Sequence, residues 1–175
     1  MVKLTQQDWL DLGLETLAKR GFTALKAGSL TKEAGVTRGS FYGYFKDVST
    51  YHEALLEAWM QRSQDVAGEI AHLEPRQQLE ALITASARSD AKLERAIRVW
   101  ADTNDHVSRA VQKLDEFRLQ VIEHILRQIG QSDNTARLRA RFLYAAAIGV
   151  MMVPEGSIQL GKDDSATLAK LILQT

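Results

Sequence analysis

Between Thr37 and Lys46 the chain places four hydroxyls, a guanidinium, an ammonium and two glycines within ten residues: Thr37, Arg38, Gly39, Ser40, Tyr42, Gly43, Tyr44 and Lys46. Hydroxyls donate to phosphate oxygens, an arginine fork matches the edge of a guanine, and glycine lets a backbone approach another surface closely. No catalytic set accompanies them. The sequence shows no Ser-His-Asp order, phosphate loop or paired catalytic carboxylates. The four histidines, His52, His72, His106 and His124, are scattered, and no two share helical ligand spacing, so Asp102, Asp105 and His106 are not expected to form a metal site. With no cysteine there is no disulfide and no thiolate ligand, which fits a reducing compartment. The expected chemistry is non-covalent recognition of a polyanion, without catalysis, cofactor or metal.

Those residues need a helix to present them. In Leu30–Phe45, LTKEAGVTRGSFYGYF, the residues Leu30, Ala34 and Val36 supply an apolar inner face. Ala34 permits a close crossing and Gly35 a tight turn, the requirements of a helix-turn-helix. Thr37 suits the N-cap of a third helix over about 38–45, and Phe41 and Phe45, four residues apart, anchor it to a core. The remaining face carries the hydroxyls and cations. Taken alone, Tyr42 and Tyr44 fit half-buried aromatics of a small helical domain equally well. A short helix with two glycines, alternating aromatics and a flanking cation would, however, be a poor choice for stability alone.

The rest of the chain reads as helix. Its 175 residues, 45% hydrophobic and 25% charged, suit one domain or two small ones. Only Pro75 and Pro154 interrupt it, so long helices are permitted almost throughout. Thr5 and Asp8 resemble a capping box before an apolar stripe of Trp9, Leu10, Leu14 and Leu17, with Gly13 on the same face and Gly21 as a left-handed cap. A second helix is expected over 27–34 and a fourth from Asp47 or Ser49 to Leu73. Pro75 opens a fifth, and further helices follow near 91–103, 105–129, 134–153 and 164–174. The N-terminal segment is not expected to be a signal peptide, and the apolar run from Phe142 to Pro154, about a dozen residues, is too short for a membrane span. Net charge is zero, which counts against a nucleic-acid binder, but residues 1–46 hold seven Lys/Arg against four acids.

Residues 9–59, with RGF at Arg20–Phe22 and above all EAGVTRGSFYGYFKD at Glu33–Asp47, resemble the head of the tetracycline-repressor (TetR) family of bacterial regulators. The resemblance implies an all-α fold of about nine helices. A helix-turn-helix head over 1–48 would bind a double-stranded DNA operator, and a helical ligand-binding and dimerisation domain would cover 49–175. It also implies an Ω-shaped homodimer, cytoplasmic location and repression relieved by a small ligand. By position, Thr37, Arg38, Gly39 and Ser40 would face bases or nearby backbone, while Tyr42, Tyr44 and Lys46 would hold phosphates. Gly28 and Val48 depart from the pattern: the family often has a larger, frequently basic residue at the first and a lysine at the second.

The C-terminal half carries no comparable signature. Leu138, Phe142, Ala145, Ala146, Gly149 and Val153 share a helix side whose small residues permit close packing. This is either a core helix or a two-fold interface, and the resemblance favours the interface, joined by Leu168 and Leu171. Trp59, Met60, Trp100, Phe117 and Val121, with the polar Arg98 and Asp102, are candidates to line a pocket for a small hydrophobic or amphipathic ligand. Core packing is the alternative for each, and a local ion pair is the alternative for Asp115 with Arg118. Two other functions fit: a DNA-binding regulator with no inducer, and a small helical carrier or enzyme whose head is a relic.

Overall fold

The computed structural model describes residues 4–154, 157, 158, 161 and 164–174. Among the described residues all regular structure is helical. The elements are α1 (Gln6–Arg20), a 3₁₀ turn (Phe22–Ala24), α2 (Ala27–Glu33), α3 (Arg38–Tyr42), α4 (Val48–Ile70), α5 (Pro75–Arg88), α6 (Ala91–Ala101), α7 (Asp105–Gln128), α8 (Asp133–Met152) and α9 (Asp164–Leu173). No helix among them is long and apolar enough to cross a membrane. By contacts the chain forms two compact units, Met1–Arg62 with Lys92–Val111, and Ser63–Ala91 with Gln112–Thr175. The first unit thus includes α6 and the start of α7 as well as the head.

In the first unit, α1 starts where the sequence places it. The Thr5 amide donates to the Asp8 carboxylate at 2.7 Å and the Asp8 amide to the Thr5 hydroxyl at 3.2 Å, satisfying two otherwise unpaired donors. Its stripe of Trp9, Leu10, Leu14 and Leu17 is buried. Gly13 has a specific reason: a Cβ there would collide with the Tyr51 hydroxyl, which donates to the Trp9 carbonyl at 2.9 Å. Burial pushes the Tyr51 hydroxyl's pKa upward, so it remains the neutral donor. Trp9, Phe41, Phe45 and Tyr51 then form an aromatic core. Trp9 meets Phe41 edge-on at 5.4 Å, and Tyr51 meets Phe41 at 5.1 Å and Phe45 at 4.9 Å. Elsewhere in the unit Trp100 stacks parallel to Phe22 at 6.1 Å and receives the His52 ring edge-on at 4.9 Å, and His52 is 3.0 Å from the Leu25 carbonyl.

In the second unit the core joins Leu79 and Ile83 of α5, Ile122, Ile125 and Leu126 of α7, Ala136 and Ala140 of α8, and Ala169 of α9. The alanines leave room for neighbouring helices to approach. Pro75 occupies the first turn of α5. Gly130, at φ +94°, ends α7 with its amide donating to the Arg127 carbonyl and that of Gln131 to Leu126.

Several boundaries differ from the sequence reading. α3 ends at Tyr42, three residues early, although the amides of Gly43 and Phe45 still donate back to the carbonyls of Gly39 and Phe41. α4 ends at Ile70, not Leu73. Thr37 sits at the N-cap of α3 with extended backbone, but its side chain makes no capping hydrogen bond. Gly21 has φ +75° with ψ 173°, so it ends α1 at positive φ, in a conformation open to glycine, but outside the left-handed helical region.

Candidate nucleic-acid interface

The candidate face of α3 is held from behind. Phe41 and Phe45 lie on the same side at 0% and 1% exposure, so the residues between and before them turn outward. Thr37, Arg38, Gly39 and Lys46 are exposed, Tyr42 is 50% exposed, and Ser40 is half-buried. The Tyr42 ring packs edge-on against Phe41 at 5.4 Å, which fixes the ring and leaves the hydroxyl at the surface. Tyr44 is exposed too, but its hydroxyl donates to the Leu4 carbonyl at 2.7 Å. It ties the segment before α1 to the end of the reading helix, a contact across forty residues that periodicity does not reveal. Asp47 opens α4 by accepting from the Thr50 amide at 2.8 Å and hydroxyl at 3.0 Å, and these bonds hold its carboxyl below its ordinary pKa. The adjacent Lys46 is thereby stationed just ahead of a 23-residue helix.

The sequence reading gave Arg20, Lys26 and Lys32 no place in the binding site. In the structure they line one open groove with Arg38, around Gly28 and Ser29. Their spacing of six residues each gives no sign of a shared face. It takes the turn at Gly35, φ +67°, to bring α3 back against α2. The one acid lining the groove, Glu33, accepts from Arg20 at 3.3 Å and from the Thr16 hydroxyl at 3.4 Å. The departure at Gly28 now has a steric reason: a Cβ there would stand 3.1 Å from Arg38 Nη2.

The remaining site candidates fall elsewhere. On α8, Leu138 is 55% exposed and Phe142 69%, with Ala145, Ala146 and Gly149 exposed beside them. Leu171 on α9 is exposed as well, while Val153 and Leu168 are half-buried. The pocket candidates are spread over both units. Trp59, Met60, Arg98, Trp100 and Asp102 belong to the first unit, and Phe117 and Val121 to the second. Trp59 and Trp100 are buried, Trp100 between Phe22 and His52, and Arg98 bonds Glu94 on its own helix at 2.8 Å. Asp102 is exposed, and Met60, Phe117 and Val121 are half-buried. In the second unit Tyr144 donates to Asp115 at 2.6 Å and Arg118 to Ser63 at 3.0 Å, so both groups serve contacts between helices.

The model of the family described as bacterial regulatory proteins, tetR family, matches residues 10–48, which run from α1 to the first residue of α4. The transcriptional regulator AcuR of Cereibacter sphaeroides is 36% identical over 56 residues, covering 32% of this chain and 26% of that protein. The HTH-type transcriptional regulator AcrR of Shigella flexneri is 38% identical over 53 residues, covering 30% and 25%. The matched stretch is thus about a quarter of either relative's length. The fold extends the likeness over the whole chain: a protein from Saccharomonospora viridis, described as a transcriptional regulator and solved in complex with choline, superposes with a TM-score of 0.77 at 15% identity, covering 94% of this chain and 93% of its own. Residues 10–48 are therefore similar to the N-terminal segment of the tetR family of bacterial regulatory proteins, and beyond them the likeness is one of fold.

Proposed function

We propose that the protein is a sequence-specific, DNA-binding transcriptional regulator of the cytoplasm, acting through residues 1–48, with residues 49–175 serving dimerisation and effector response. One observation carries the reading: two buried phenylalanines hold α3 so that its outward side offers hydroxyls, glycine backbone and cations around the half-exposed Tyr42 ring. Such a surface leaves most of its polar groups unpaired against an apolar partner and suits a phosphate backbone and the base edges beside it. Arg38, Thr37, Ser40 and the Gly39 backbone would meet the major groove, and Tyr42 and Lys46 would hold phosphates. Tyr44 contributes less, since its proton is already given to Leu4. The apolar side of α8, with Leu171, would form the two-fold contact of a homodimer, which sets two reading helices about 34–36 Å apart for half-sites one turn apart. Selection of bound sequences from random duplex DNA at fixed salt tests this: a pseudo-palindromic operator is expected, and recovery of unselected sequence with no binding sinks it.

Release by a small ligand is the control mode we favour, supported by the fold's likeness to a protein that holds choline. A ligand that prefers the conformation with the wrong head spacing weakens DNA binding by its differential affinity for the two states. A second reading, a regulator without inducer, draws support from the burial of Trp59 at 4% and Trp100 at 3% exposure, since both rings are already packed. Titration of small hydrophobic and quaternary-amine compounds separates the two. A change in tryptophan fluorescence with a matching fall in operator affinity favours the first, and no coupled response favours the second.

A further inference from the structure

We infer that Gly28 is a specificity-determining residue of the reading surface, acting through Arg38: the bare backbone of α2 gives the Arg38 guanidinium its seat, and the seat sets the orientation in which that fork meets a base pair. The inference rests on the DNA-reading role proposed above.

A Cβ on Gly28 would stand 3.1 Å from Arg38 Nη2 and 3.8 Å from both Cζ and Nε. Nη2 is the nearest of the three, with Nε and Cζ behind it, so the Nε–Nη2 edge of the guanidinium is the part that lies beside the first turn of α2. Backbone geometry does not account for the glycine, because the positive-φ glycines are Gly21, Gly35 and Gly130. Inside a helix glycine is less favourable than alanine, so its presence costs α2 stability. Nor is Arg38 placed by charge. Among the described residues it makes no ion pair, its companions in the groove are Arg20, Lys26 and Lys32, and Glu33 is engaged by Arg20 and Thr16. Like charges would drive the side chain outward, and the space over Gly28 lets the guanidinium settle beside α2 instead.

Orientation matters because arginine reads guanine through two parallel N–H donors, and a planar fork tilted by a small angle loses one of them. A methyl at position 28 must displace the guanidinium by a few tenths of an ångström, and misplacement on that scale is enough to degrade a preorganised contact. Position 28 therefore edits what Arg38 reads without itself touching a base.

The test is a double-mutant cycle on the full chain, with wild type, Gly28→Ala, Arg38→Ala and the double variant. Each is carried through selection from random duplex DNA, a binding titration at fixed salt, and thermal unfolding. Wild type should select guanine at one position of each half-site. Arg38→Ala should lose that preference by roughly fivefold to a hundredfold. Gly28→Ala should weaken the preference at the same base pair by roughly threefold, as expected for a tilted rather than a deleted fork. Other positions should be unaffected, and the unfolding temperature should hold or rise as the helix gains an alanine. In the Arg38→Ala background Gly28→Ala should change nothing, because the interaction it perturbs is gone. The inference is overturned if Gly28→Ala selects the wild-type operator with unchanged preference, or if its effect persists without Arg38 or lands on a different base pair. Wild type binding no duplex DNA would instead overturn the DNA-reading role itself, and the inference with it.

Discussion

α3 and α8 each leave an aromatic ring in solvent, Tyr42 at 50% and Phe142 at 69% exposure, but the company they keep differs. Around Tyr42 stand Thr37, Arg38 and Lys46, all exposed, and the inner side of the helix is pinned by Phe41 and Phe45. Around Phe142 stand Leu138, Ala145, Ala146 and Gly149, while Ala136 and Ala140 on the inner side pack at 0% exposure. The first face exposes hydrogen-bonding and charged groups whose desolvation only a polyanion repays. The second exposes carbon, and a contiguous apolar patch costs free energy until another apolar surface covers it. Exposure of a ring therefore does not identify a partner, whereas the polarity of its neighbours does.

If the two faces act independently, each can be broken without the other. The largest effect is expected at the anchor of the reading helix. Phe41→Ala removes a ring that touches Trp9, Phe45 and Tyr51, and should cost about 3–5 kcal/mol of stability in the head. DNA binding should be lost while sedimentation still reports a dimer, and a variant that also becomes monomeric would show that the faces are coupled. Next, Phe142→Arg places like charges near each other across a two-fold axis. Because the side chain is 69% exposed, the fold should survive, while the protein sediments as a monomer and operator affinity falls about a hundredfold with the loss of the second head. A wild-type protein that is already monomeric would remove α8 from the comparison.

Smaller effects sharpen the polar side. Tyr42→Phe deletes one hydroxyl and should weaken specific and non-specific DNA alike by about tenfold or less, the net range of an ordinary hydrogen bond exchanged with water. A change in base preference would move Tyr42 from the phosphates to the bases. The smallest effect is expected at His52, whose pKa burial pushes down while its bond to the Leu25 carbonyl acts in the opposite sense. The folded value then lies below the unfolded one, near 6.5, so the neutral ring's contribution is present above that value and is lost as pH falls through the folded value. Thermal unfolding of the wild type should therefore weaken modestly from pH 7 to 5, and His52→Gln should flatten that slope. An unchanged slope in the variant would assign the pH response to another group.

The helices were largely legible in the sequence because their signals are local. Thr5 with Asp8, Pro75 at the head of α5 and Gly130 past the end of α7 act within a turn of themselves, where neither burial nor a distant partner changes the outcome. The helix-turn-helix was legible for the same reason, since Ala34, Gly35, Phe41 and Phe45 lie within a dozen residues. Signals that depend on a partner failed or stayed silent. Thr37 has the right residue type for a cap but does not use its hydroxyl as one. The pocket candidates share only aromatic or polar character, which does not say which core a side chain enters.

By itself, then, the sequence determined the all-helical architecture, the position of the reading helix and which of its residues turn outward, because helical periodicity and two buried rings settle those within one segment. Tertiary structure alone decided that Gly13 makes way for the Tyr51 hydroxyl, that Tyr44 spends its proton on Leu4, and that Gly28 leaves its space to Arg38. Each of these joins residues ten to forty positions apart, and a glycine's purpose is written in the side chain that fills its place, which the chain brings there only by folding.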